Sequence, residues 1–225
     1  MNDIEERPRK IVACATVAEE LSQLGVDESA LTVLDFGLHI NPDELKLALQ
    51  AEIAGTPGDM DILLGYGLCS NAIVGLHSDR HRLVVPRVDD CIALFLGSKA
   101  EHLRRLAEEP GTYFLTKGWV EAADHPYHEY IRLCERYGEE RAQRVAKVLL
   151  ANYTRVALIN TGNYHIDEYR AFARNMAELF ALKFEELPGS NRLLEKMLNG
   201  EWDGEFIVTE PGGDISLGDF LGPAA

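Results

Sequence analysis

Three cysteines stand at the ends of short apolar runs: Cys14 closes KIVAC, Cys69 follows MDILLGYGL, and Cys91 follows RLVVPRVDD. Three thiolates with one open position make a catalytic zinc arrangement. Three thiolates around a cluster with one free iron suit iron–sulfur chemistry equally well. His39, after LTVLDFGL, offers an imidazole that acts either as a further ligand or as a loop cap. Zinc is the expected cofactor, with an iron–sulfur cluster as the alternative. No CxxC pair is present, so the expectation rests on where the residues fall and not on a motif.

Packing is the competing account, because cysteine is among the most buried residue types. It suits any one of the three. Taken together, Cys69 in a glycine-rich turn and Cys91 beside two carboxylates are not ordinary core settings. Cys134, inside YIRLCERY, reads as a packing residue on a helix. His77, His81, His125, His128 and His165 lie in polar contexts that read as solvated.

The residues around the thiols divide in the same way. Asp89 and Asp90 can act as a general base, orient a ligand, or cap the helix that follows, and acids are favoured at helix starts. GYGLCSN has GxG after a strand, but Asn71 stands where a dinucleotide loop needs its third glycine. Gly65, Gly67 and Asn71 are therefore read as a tight turn that lets backbone approach something bound. No GxxxxGK[ST] run supports phosphate hydrolysis. Lys117, with Trp119 near it, is a candidate lining residue, and Thr161 with Gly162 could hold an anion through backbone N–H groups.

The elements that must position these residues alternate. KIVACA, LTVLDFG, MDILLGYG, RLVVPRV, TYFLT, RVALINT, KFEELP and EFIVTE read as strands. The stretches between them read as helices: TVAEELSQLG stopped by Gly25, NPDELKLALQAEI capped by Asn41, DDCIALFLGS, and SKAEHLRRLAEE before Pro110. Residues 127–152 read as one or two helices broken at Gly138, followed by IDEYRAFARNMAELFAL. SNRLLEKMLNG takes Ser190 as N-cap and Gly200 as its stop. Short apolar strands joined by helices predict an α/β protein with mainly parallel sheet covered on both faces, in two βαβαβ halves around a helical middle. The chain reads as one α/β unit over 1–225, with sub-halves at 1–110 and 151–225 and the helical segment at 111–150. In such sheets ligands bind beyond the carboxyl ends of the strands. That is where all three cysteines and His39 fall.

Composition bounds the rest. The 225 residues are 46% hydrophobic and 26% charged, as in an ordinary globular protein. A net charge of -15, with no basic run longer than Arg104-Arg105, argues against nucleic acid and against anionic membrane as partners. The start, MNDIEERPRK, has no apolar h-region and no run spans a bilayer, so the expected location is the cytoplasm. A small-molecule substrate is expected, and a homo-oligomer is left open.

The segments ACATVAEEL, LLGYGLCSNAIVGL, RVDDCIALFLGS, PGTYFLTKGW and ALINTG, in that order, resemble a bacterial and archaeal family catalogued as domain of unknown function sixteen thirty-eight. The resemblance would put glycine at Ala15 and Ser70, and it keeps all three cysteines. It implies one-carbon metabolism, since members of the family are often encoded beside corrinoid proteins and their methyltransferases. A metal-bound thiol is deprotonated and nucleophilic at neutral pH, which suits methyl transfer. Three functions follow as expectations: a zinc-dependent transferase, an iron–sulfur dehydratase or lyase on the same cysteines, or an accessory protein for a corrinoid or methyltransferase partner. Direct cobalt ligation through a DxHxxG pattern is not expected, because the chain lacks that pattern.

Overall fold

The computed structural model describes residues 7–122 and 125–221; the first six residues of the charged start lie outside them. In chain order the elements are β1 (Arg9–Cys14), α1 (Ala15–Gln23), β2 (Leu31–Leu34), α2 (Pro42–Gly55), β3 (Asp61–Gly65), β4 (Arg82–Pro86), α3 (Cys91–Phe95) and α4 (Lys99–Glu108). Then come β5 (Thr112–Leu115), α5 (Lys117–Ala122), α6 (Pro126–Tyr137), α7 (Glu139–Leu149), β6 (Arg155–Asn160), α8 (Asp167–Leu179), β7 (Lys183–Pro188), α9 (Arg192–Asn199), β8 (Phe206–Thr209) and α10 (Leu217–Leu221).

This is an α/β protein with mainly parallel sheet. Its contacts divide it into two units, one formed by the chain up to Lys99 together with Asn191 onward, the other by Ala100–Ser190. These boundaries differ from those read in the sequence at 110 and 151. The segment 111–150 is also not purely helical, since it contributes β5 to the second unit.

In the first unit a five-stranded sheet runs β2-β1-β3-β4-β8. β3 is central, with β1 and β4 parallel on either side, and β1 pairs parallel to β2 beyond it. β3 is buried along its whole length, as a strand covered on both faces must be. Val12, Leu63, Leu64 and Val84 form the centre of this core. Burying each such side chain is worth about 1.5–3 kcal/mol. β8 departs from the expected pattern: it lies antiparallel to β4 at the sheet edge. Apolar alternation shows that a strand exists and says nothing of its direction.

At the opposite end of this sheet from the cysteines, Arg82 forks onto the buried carboxylate of Asp61, with Nε–Oδ1 at 3.0 Å and Nη2–Oδ2 at 2.6 Å. The two residues are register partners on β4 and β3. The Trp202 ring covers the guanidinium at 4.9 Å.

The second unit holds a parallel sheet β5-β6-β7. The expected second βαβαβ half is therefore divided, with β6 and β7 joining β5 while β8 joins the first sheet. Leu115, Val156 and Leu158 pack with Ala173, Met176 and Ala177 of α8. The buried Arg155 bonds the Thr112 hydroxyl twice and pairs with Glu185. Gly138 separates α6 from α7, and Cys134 packs against the Tyr130–Ala142–Ala146 cluster, the role expected of it.

The helix ends largely follow their residue types. Asn41 and Pro42 open α2, and Gly200 follows α9 in the left-handed conformation. Ser190 is not the cap of α9; Asn191 occupies that position, and the cap is not closed by a side-chain hydrogen bond. His77, His128 and His165 are exposed as read, but His81 and His125 are buried. His81 is a correction with a clear cause: it is buried, and its Nδ1 accepts the Met60 N–H at 3.2 Å. His125 packs among His128, Tyr127 and Phe172 rings.

Candidate functional site

β1 and β3 lie side by side with Ala13 opposite Gly65, so the next residues, Cys14 and Tyr66, emerge together at the carboxyl end of the sheet. Gly65 is required there, since a β-carbon on it would stand 2.9 Å from that of Ala13. Cys14 is buried and is the N-cap residue of α1. Its Sγ lies 3.2 Å from the Thr16 hydroxyl. Burial pushes the Cys14 thiol up, against the Thr16 hydroxyl and the first-turn N–H groups of α1, which favour the thiolate.

The turn that carries Cys69 is bolted to the loop after β4. Leu68 N–H donates to Val88 O at 2.8 Å and Cys69 N–H to Asp89 O at 3.1 Å. Gly67 makes this possible: a β-carbon would meet Val88 O at 2.8 Å and Asp90 N at 2.9 Å. At Gly67 the close approach is thus made by the chain's own backbone. Cys69, Ser70 and Asn71 then run at φ 45°, 56° and 70°, three successive non-glycine residues in the left-handed region. Each costs about 1–2 kcal/mol there, and such strain concentrates at working sites.

The Cys69 thiol is pushed up to about 12, by burial first and then by the negative charge that Cys14 and Asp90 can carry. Both thiols are therefore protonated at neutral pH unless a cation draws the proton off. Free thiols in this state are poor nucleophiles.

Tyr66, which follows β3 beside Cys14, is 1% exposed, its hydroxyl without a hydrogen-bond partner among the described residues. Burial, followed by the charges of Cys14 and Cys69, keeps the phenol protonated. A buried hydroxyl left unpaired costs about 1–3 kcal/mol. His39 stacks on the Tyr66 ring at 6.0 Å and on Phe36 at 5.1 Å. Its Nδ1 lies 3.1 Å from the Phe36 carbonyl, which can only accept, so Nδ1 carries the proton and Nε2 a lone pair. Burial lowers its pKa, partly offset by that carbonyl, and the ring is neutral at pH 7. This is the outer-nitrogen bond that commonly orients a metal-binding imidazole.

Cys91 is the first residue of α3, half-buried, with Asp90 as N-cap accepting Ile92 N–H at 3.0 Å. Capping is thus the role the structure gives Asp90. Asp89 pairs with Lys99 at 2.9 Å on the surface. Among the described residues no group of three or more His, Cys, Asp or Glu side chains is gathered closely enough to hold a metal ion.

The remaining candidates belong to the second unit. Lys117 pairs with Glu121 at 2.6 Å and lies over the Tyr164 ring at 5.0 Å. Gly162 N–H donates to the Asn160 side chain at 3.0 Å. Asp167 and Glu168 occupy the first turn of α8. An anion at Thr161-Gly162 would meet a Gly162 N–H already engaged by Asn160.

Tyr66 is the residue that reading by type passes over. Its signal was available in hindsight, as a large aromatic between two glycines at the end of a strand whose ILL run is apolar.

Residues 33–198 match the model of the family described as Protein of unknown function (DUF1638), and the chain belongs to that family. Neither the curated proteins nor the solved structures contain a match. No helix among the described residues is long and apolar enough to cross a membrane.

Proposed function

For a member of this family with two thiols and a buried phenol at one edge of its sheet, we propose a metal–thiolate centre that works in one-carbon transfer. Cys14 and Cys69 are its fixed half, and Cys91 is the third donor. Cys91 has to be drawn in from the first turn of α3, since the three are not gathered in this conformation. Zinc is the metal that suits the donor set: when bound it would hold the thiols deprotonated and leave a position for substrate.

The observation that carries the reading is the Cys14–Tyr66–Cys69 cluster. Two thiols held protonated by burial are inert alone, and a buried phenol O–H lacks an acceptor. A cation resolves both, because thiolates are what it would create. His39 supports the same reading with a neutral imidazole whose Nε2 lone pair is available as a donor or as a base. Asp90 anchors the loop that Cys91 must leave from, and the strained turn at Ser70 and Asn71 holds Cys69 at the edge. The small-molecule substrate and the corrinoid or methyltransferase partner belong to this proposal through the family alone.

Metal analysis of untagged protein purified anaerobically tests it, alongside Cys14→Ala, Cys69→Ala and Cys91→Ala. About one zinc per chain, lost in each folded variant, supports the centre. Iron with sulfide moves the assignment to a cluster enzyme. No metal in the wild type refutes both.

A further inference from the structure

We propose that the cavity among α6, α7 and the turn before β7 is a separate binding site, which takes a small monocarboxylate bearing one aromatic ring. Its lining residues all belong to the second unit, and it uses none of Cys14, Cys69 or Cys91. The proposal therefore stands apart from the metal–thiolate reading.

The walls follow from the residue types. Ala142 and Ala146, four residues apart on α7, pack with Tyr130 of α6. Ala146 lines the cavity, and its short side chain leaves room that a larger one would fill. Tyr130 and Phe180, both in the lining, meet edge to face at 5.7 Å. Opposite ends of one cap fix the turn after α8: Ala181 N–H donates to Glu178 O at 3.2 Å, and Leu182 N–H to Ala177 O at 2.8 Å. The cavity measures about 300 Å³, the small end of ligand pockets, which admits one ring and a short chain. Aromatic walls favour a flat guest that can lie offset or edge to face against them.

The charge comes from Lys147, which also lines the cavity; among the described residues no Asp or Glu does. A basic residue on a helix is neutralised by a Glu four positions back, as Arg144 is by Glu140 at 2.5 Å. Four positions before Lys147 stands Gln143, which donates to Glu139. Lys147 therefore makes no ion pair among the described residues. A pocket whose charged group is an unpaired ammonium attracts an anion, although the chain as a whole carries -15.

Calorimetric titration of the full chain tests the site with three probes: phenylpropanoate, the neutral phenylpropanol, and octanoate. The acid should bind about fivefold more tightly than the alcohol, the upper worth of a partly exposed ion pair. Lys147→Met should abolish that preference by weakening the acid and leaving the alcohol unchanged. Lys147 is exposed, so this change spares the core. Ala146→Phe should fill the cavity and abolish binding of both, and if it fails to fold, the Lys147→Met comparison still decides. Equal affinity for acid and alcohol, or an acid indifferent to Lys147→Met, overturns the proposal. A folded Ala146→Phe that still binds overturns the location. Tighter binding of octanoate overturns the aromatic class, and absence of binding by all three overturns the site.

Discussion

Gly67 passes so close to Asp90 that a β-carbon on it would stand 2.9 Å from the Asp90 backbone nitrogen. That single approach locks the Cys69 turn to the loop that starts α3, and so ties the second thiol to the third. Gly67→Ala must push two backbone segments apart. We expect it to destabilise the protein by about 1–3 kcal/mol, the usual range for overpacking. Urea denaturation measures the loss, and zinc stoichiometry should fall with it. A variant as stable as the wild type would show that the two loops are not locked.

Ser70 is exposed and held at φ 56°, between Cys69 and Asn71 in the same region. Glycine adopts this conformation without penalty. Ser70→Gly should raise stability by about 1 kcal/mol while leaving metal content unchanged. Thermal denaturation is the check, and a lower melting temperature would mean that the Ser70 side chain does something beyond bearing strain.

Removing Arg82 strands a carboxylate. Asp61 is 2% exposed and receives both arms of the guanidinium. Arg82→Met should cost about 3 kcal/mol, because the charge left behind is uncompensated. Adding Asp61→Leu should restore part of the loss. If the double variant is no better than the single, the fork contributes something other than charge compensation.

Titration of Cys69 makes stability fall in alkali. Its thiol is raised from 9.0 to about 12 in the metal-free fold. Above pH 9 the unfolded chain releases this proton and the folded chain keeps it, so unfolding is favoured as pH rises. The contribution is complete below pH 9 and is lost progressively between 9 and about 12. Metal-free protein should therefore lose stability across that window, and Cys69→Ala should flatten the slope. In the same fold Cys69 should react slowly with iodoacetamide at pH 8. Rapid alkylation at that pH would contradict the protonated thiol.

The sequence by itself determined the kinds of element and much of their placement. Apolar runs such as DILLG in β3 and RVALIN in β6 fix strands because nothing else buries them. Gly138, Pro42 and Gly200 end or start helices through local backbone chemistry, which needs no distant partner. It also determined that Cys14, Cys69 and Cys91 follow strands, and hence that they share one sheet edge. What it could not determine is anything set by pairing between distant segments. Strand direction is one case: β8 joins β4 antiparallel, although its residues look like those of a parallel strand.

The burial of His81 and the orphaned hydroxyl of Tyr66 are others, for each depends on which backbone happens to lie against the side chain. Only the tertiary structure sets Tyr66 beside Cys14 at the end of the sheet and Gly67 against Asp90. Those contacts are made by packing across residues 13–90 of the chain, and local residue type carries no record of them.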